Sequence, residues 1–168
     1  MKLSEVLKLE YIGRYPNKNN VLLRSFLCYY RDPDFRVVVL IRYAVDGNSN
    51  YYRKKCVKKL LIKYNVAISR NCKIGQNFHP EHYLGLVIGP GVVIGNNCTT
   101  YQQVTIGQKN GKYPTIGENV TLYAGCKVLG NINIGNNVEI GANAVVLKDV
   151  PDNCIAVGVP ARIISKEA

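Results

Sequence analysis

No apolar run in the 168-residue chain exceeds the stretch from Val37 to Ile41. That is far below the roughly 20 residues a membrane-spanning helix requires, so no transmembrane segment is expected. The start, Met1-Lys2-Leu3-Ser4-Glu5, lacks the apolar core of a secretion signal, and a cytoplasmic protein is expected. Acidic residues are scarce: 11 Asp and Glu stand against 22 Lys and Arg, a net charge of +11. Such a balance attracts anions without choosing among phosphates, acidic glycans and nucleic acid. The six cysteines include no C-x-x-C pair, which removes the spacing of zinc ribbons and dithiol redox sites. Only two histidines occur, His79 and His82, too few for a three-histidine zinc centre. No metal is expected.

What the chain does contain is a repeat. From Ile88 to Val146 an aliphatic residue followed by a small one returns at six-residue steps, as in Ile88-Gly89, Ile94-Gly95, Ile106-Gly107, Ile116-Gly117, Ile134-Gly135 and Ile140-Gly141. Thr100, Leu122, Val128 and Val146 keep the register, and Ile74-Gly75 extends it backwards. Two residues earlier stands a second apolar column, Cys72, Val92, Cys98, Val104, Val120, Cys126, Ile132, Val138 and Ala144. A period of two puts both columns on one side of a short strand. Three cysteines therefore point inward as small hydrophobes. One residue before this column come Asn71, Asn77, Gly91, Asn97, Asn119, Gly125, Asn131, Asn137 and Asn143, with Gln103 out of pattern. Gly and Asn accept positive φ cheaply, so each hexapeptide reads as a strand and a sharp corner. Stacked units of this kind form a parallel β-helix with three hexapeptides per coil.

The repeat is missing before about Asn65, where helical spacing takes over. Leu22, Leu23, Phe26, Leu27 and Tyr30 suggest one apolar helical face. Asp32-Pro33 offers an N-cap and first-turn proline for a helix running towards Val45, and Gly47 ends it. Asn48 or Ser49 can cap a third helix whose apolar face is Cys56, Leu60, Leu61 and Tyr64. Its remaining face is basic, with Arg53, Lys54, Lys55, Lys58, Lys59 and Lys63, and is compatible with peripheral membrane contact. The expected division is a helical cap at 1–65 and a β-helix with a closing segment at 66–168.

Two insertions break the register. Ile74 and Ile88 lie fourteen residues apart where two hexapeptides take twelve, and Ile106 and Ile116 lie ten apart where one takes six. Insertions in a solenoid emerge as loops, and such loops commonly carry sites. Counting six-residue steps puts Ile88, Ile106, Val128 and Val146 on a first face. Ile94, Ile116 and Ile134 fall on a second, and Thr100, Leu122 and Ile140 on a third. The His82 loop then leaves the corner between third and first faces, and the Gln108–Pro114 loop the corner between first and second.

These residues resemble the hexapeptide-repeat acyltransferases, and most closely the serine acetyltransferase-like branch that includes sugar and capsular-polysaccharide O-acetyltransferases. The resemblance covers about residues 66 to 164. It rests on His82-x-x-Gly85-Leu86-Val87-Ile88-Gly89, Gln103-Val104-Thr105-Ile106-Gly107, Pro114-Thr115-Ile116-Gly117, Gly125-Cys126-Lys127-Val128-Leu129-Gly130, Val145-Val146-Leu147-Lys148-Asp149-Val150-Pro151 and Gly158-Val159-Pro160-Ala161-Arg162. It implies a left-handed β-helix, which runs against the usual crossover preference. It also implies a homotrimer with active sites between subunits, acetyl-CoA as co-substrate and direct transfer to a hydroxyl.

By the resemblance His82 is the catalytic base, a task that suits imidazole because it titrates near neutrality. Backbone N–H groups at Gly107 and Gln108 are the oxyanion donors. Ala124, Gly125, Lys127, Lys148 and Arg162 are the acetyl-CoA contacts. Serine acetyltransferases carry an aspartate where this chain has Ala67, an aspartate where it has Glu81, and Arg-His where it has Lys112-Tyr113. Glu81, Lys112 and Tyr113 are accordingly expected to bind the acceptor or orient the base. These departures favour a sugar, nucleotide sugar or polysaccharide as acceptor, hence polysaccharide biosynthesis. Serine acetylation is the alternative, and a non-enzymatic basic interaction module the other. Nucleic acid is not an expected partner.

Overall fold

The computed structural model describes residues 1–166, so the final two residues of the expected 66–168 segment lie outside the described residues. Three parallel sheets form the walls of a prism. On the first face Ile68, Ile88, Ile106, Val128 and Val146 stack in register. On the second face stand Ile74, Ile94, Ile116 and Ile134, and on the third Pro80, Thr100, Leu122, Ile140 and Ala156. The faces counted from six-residue steps are therefore the faces of the left-handed parallel β-helix. Ile106, Leu122 and Ile140 are fully buried, each contributing roughly 1.5–3 kcal/mol of burial.

Corners explain the asparagines. Asn77, Asn97, Asn119, Asn137 and Asn153 all lie at φ 55–56°. They form a ladder in which each side-chain amide donates to the next Oδ1 at 3.0–3.1 Å. Asn therefore serves twice, by tolerating the left-handed region and by pairing with its copy one coil away. Gln103, out of pattern by type, takes φ 59° like its neighbours. Asn71, Gly91 and Asn131, expected to share that geometry, do not: they stand at the corner from first to second face, where this position is not left-handed. Gly91 is small for a different reason, since a Cβ there would lie 2.3 Å from the Tyr113 ring.

Four helices precede the prism where spacing suggested three: α1 (Leu3–Arg14), α2 (Val21–Arg31), α3 (Pro33–Asp46) and α4 (Asn50–Tyr64). Asp32 caps α3 as expected, its Oδ1 accepting from the N–H groups of Asp34 and Phe35 at 2.9 and 3.1 Å. Gly47 ends it. Leu60 and Tyr64 of α4 are buried, but Leu61 is 53% exposed. Val37, Leu40, Ile41 and Ala44 of α3 share one core with Leu60, Tyr64 and the prism interior. The α2 stripe, to which spacing assigned no direction, faces outward. Leu22, Leu23, Phe26, Leu27 and Tyr30 are 44–63% exposed, while Ser25 of the opposite face is buried. Among the described residues no helix is long and apolar enough to cross a membrane.

At the far end the strand Arg162–Ser165 folds back antiparallel onto Cys154–Val157 and covers the last rung of the third face.

Candidate functional site

The edge between third and first faces is a continuous backbone column. Gly85 N–H donates to Asn65 O, Gln103 to Leu84 O, Gly125 to Gln102 O and Asn143 to Ala124 O, all at 2.8–2.9 Å. His82 leaves this edge from a lower coil, and Ala124-Gly125 occupy it two coils higher. Strands 4.7–4.9 Å apart separate the two by about 10 Å in height. Gly125 sits at φ 72°, and a Cβ there would lie 2.2 Å from Asn143 Oδ1. Glycine leaves that space to the Asn143 amide.

His82 is exposed. Its ring meets Tyr101 nearly edge to face, with centroids 6.0 Å apart. Tyr101 stacks on Tyr123 at 5.4 Å, the Tyr123 hydroxyl donates to Glu139 Oε2 at 3.3 Å, and Glu139 pairs with Lys166 at 2.7 Å. The Lys166 ammonium, bonded to the Glu139 carboxylate, holds that group below its ordinary range. The Glu139 charge in turn raises Tyr123. Motif reading missed this column, although the hexapeptide register carried the signal. Tyr101 and Tyr123 each follow an inward residue, Thr100 and Leu122, one coil apart.

Glu81, expected to orient the base or bind the acceptor, pairs with His79. Its carboxylate is 2.6 Å from His79 Nε2. The reason is strand alternation: Pro80 points inward, so His79 and Glu81 emerge together on the outer side of the third face.

The second loop is a tight hairpin on the neighbouring edge. Lys109 and Lys112 exchange backbone hydrogen bonds at 3.1 and 3.2 Å, around Asn110 at φ 55° and Gly111 at φ 77°. Two positive φ values in a row make a type I′ turn, and Asn-Gly is its strongest sequence signal. Gln108 Oε1 accepts from Gly111 N–H at 2.7 Å. Gly107 lies in the first-face ladder opposite Leu129, and its carbonyl accepts from Gly130. Lys112 is exposed. Tyr113 packs against the core over Gly89 and Gly91, so its identity answers to those glycines.

The expected cations separate. Lys127 Nζ donates to Gln103 O at 2.7 Å and Gly125 O at 2.8 Å, so it caps two carbonyls of the first edge. An ammonium has three donors, so one is left for an anion. Arg162 is exposed on the closing strand opposite Val157, near the same edge. Lys148 follows the first-face strand Val145–Val146 and lies at the edge of the hairpin. One chain thus gathers His82, Ala124, Gly125, Lys127 and Arg162 along one edge, and Gly107, Gln108, Lys112 and Lys148 along the next.

Residues 113–148 match the family described as bacterial transferase hexapeptide (six repeats). The chain is 40% identical over 152 residues to a serine acetyltransferase of Synechococcus elongatus, covering 84% of this chain and 60% of that one. It thus spans about three fifths of the length of the curated relatives it matches. Among solved structures it is similar to soybean serine acetyltransferase complexed with serine, with TM-score 0.77, 28% identity, and coverage of 94% of this chain and 68% of that one. A serine acetyltransferase in complex with CoA matches with TM-score 0.74 at 29% identity, covering 96% and 68%.

These relatives overturn the expected sugar, nucleotide-sugar or polysaccharide acceptor, which has no support among them. That expectation leaned on a few positions, and the fold shows why they misled: Tyr113 is fitted to Gly89 and Gly91 and Glu81 to His79. Contacts within the chain account for Tyr113 and Glu81 without an altered acceptor. With a repeat that closes into a three-walled prism and a match to the hexapeptide profile over residues 113–148, this chain belongs to the hexapeptide-repeat transferases, the family that includes the serine acetyltransferases.

Proposed function

We propose that the chain transfers an acetyl group from acetyl-CoA to the hydroxyl of L-serine. The observation that carries this reading is the 40% identity to a serine acetyltransferase across 84% of this chain. In the proposed mechanism His82 removes the serine hydroxyl proton as the oxygen attacks the thioester carbonyl. N–H groups at Gly107 and Gln108 receive the oxyanion. The carbon–sulfur bond then breaks, and His82 returns the proton to the departing CoA thiolate. Acetyl-CoA lies along the edge at Ala124-Gly125, with Lys148 and Arg162 as candidate phosphate contacts.

The site we propose is shared between subunits of a homotrimer. His82 and the Gln108 hairpin leave adjacent edges of one prism, separated by a side of about five residues, or roughly 16 Å. A base has to come within ~3 Å of its proton. Parallel prisms around a threefold axis bring one chain's His82 edge beside its neighbour's hairpin edge.

Purified protein given acetyl-CoA and L-serine should release free thiol, at a rate far above that with sugars or nucleotide sugars. Thiol release equal with and without serine would overturn the acceptor. For the shared site, mixed trimers of a His82→Ala chain and a hairpin-deleted chain should recover part of the activity that each lacks. Verified mixed trimers without recovery would refute it.

A further inference from the structure

The helical cap carries most of the chain's charge. Residues 1–65 hold 14 of the 22 basic and 5 of the 11 acidic side chains, which is +9 of the net +11. Four of those five acids are already engaged. Glu10 and Asp46 bind Arg42, Asp32 binds Arg14, and Glu5 accepts from Lys2 N–H. Glu5, Asp34 and Asp46 remain exposed, but cations outnumber them on the outer surface of the cap.

Within this field lies the outward stripe of α2. Leu22, Leu23, Phe26, Leu27 and Tyr30 fall at spacings that put them on one helical face, and that face is outward. Cations border it on both sides. Lys8 and Ile12 of α1 line a groove with Leu22 and Leu23, and Arg24 and Arg31 line another with Leu27. Lys8, Arg24 and Arg31 are exposed and have no ion pair among the described residues.

We propose that this face docks on the surface of an anionic lipid bilayer, with the α2 stripe at the headgroup–acyl boundary and Lys8, Arg24 and Arg31 among the lipid phosphates. An outward apolar stripe flanked by cations is the pattern of an interfacial helix. A second copy of the chain fits less well, because pairing these faces sets two strongly positive caps against each other. A nucleic acid would satisfy the cations and leave five large apolar side chains without a use. The docking requires no transmembrane helix and is independent of the acceptor of the transferase reaction.

Co-sedimentation of the full chain with phosphatidylcholine vesicles, with and without phosphatidylglycerol, tests this. Binding should require the anionic lipid and weaken as salt is raised. Arg24→Gln with Arg31→Gln should lower the partition coefficient roughly 30-fold, about 5-fold per cation. Leu23→Ser with Phe26→Ser should lower it by roughly 10-fold or more. All four side chains are exposed, so melting temperature and thiol release in solution should stay at the parent values. No binding to anionic vesicles at low salt would overturn the proposal, as would binding indifferent to Leu23→Ser/Phe26→Ser. Sedimentation velocity showing that this face joins two assemblies, or equal affinity for duplex DNA insensitive to the apolar variants, would replace the bilayer with that partner.

Discussion

Arg42 offers a sharp test of how the cap is joined to the prism. It is 5% exposed. Its Nε donates to Glu10 Oε1 at 2.8 Å, and its Nη1 to Asp46 Oδ2 at 3.0 Å and Ile74 O at 2.6 Å, while Nη2 bonds to Gly75 O. Higher on the second face, Ile94 O accepts from Gly75 N–H and Ile116 O from Gly95 N–H, each bond coming from the coil beneath. Ile74 belongs to the terminal strand of that sheet, which has no coil beneath it. The guanidinium takes the place of the missing rung. Arg42→Met leaves Glu10 buried and these carbonyls without their donors, at a cost of about 3–5 kcal/mol. At ~2–4 °C per kcal/mol for a chain of this size, the melting temperature should fall by roughly 6–20 °C. Burial raises the Glu10 carboxyl above its ordinary 4.5, and Arg42 opposes that rise. A raised folded-state value means the native chain holds this proton more tightly than the unfolded one. The stability it gives is full below the ordinary value and is lost as pH climbs through the raised one. Without Arg42 the value rises further, so the variant should lose more at pH 8 than at pH 5. Pairing Arg42→Met with Glu10→Met removes both charges and should leave only the cost of the two carbonyls, about 2 kcal/mol. Calorimetry at equal protomer concentration reads all three variants. A single-variant loss below ~2 °C, or a double variant no better than the single, would refute the reasoning.

Replacing His82 with Asn should lower turnover by roughly 10²-fold to 10⁴-fold with CoA affinity and melting temperature little changed, read by thiol release and calorimetry. Tyr101→Leu removes the ring that His82 abuts; we expect kcat to fall roughly 10-fold to 10²-fold while KM for acetyl-CoA holds, and an unchanged kcat would remove Tyr101 from the site. Burial pushes the Cys72 and Cys126 thiols up to about 12 and raises Cys98 as well, and Cys154 is 6% exposed. At pH 8 a thiol reagent should therefore label only Cys28 and Cys56 in the native protein and all six after denaturation; fast native labelling of Cys126 would show that the prism opens.

By itself the sequence determined the prism, its three faces and the corners from which both insertions leave. These follow from a period that each hexapeptide carries in its own side chains, two inward and one at the turn, so no distant contact is needed to read them. It also carried the Asn-Gly hairpin signal at Asn110-Gly111 and the register that aligns Tyr101 with Tyr123. Tertiary structure decided what depends on partners remote in the chain. Helical spacing gave α2 an apolar face without a direction, and packing of Ser25 inward turned that face to solvent. Lys127 was expected at a ligand phosphate, and only the stacking of coils shows that Gln103 O also lies within its reach. His79 takes Glu81 because Pro80 is held inside the third face. Arg42 could not be paired with Ile74 from spacing alone, because the missing rung it replaces exists only once the cap sits beneath the coils.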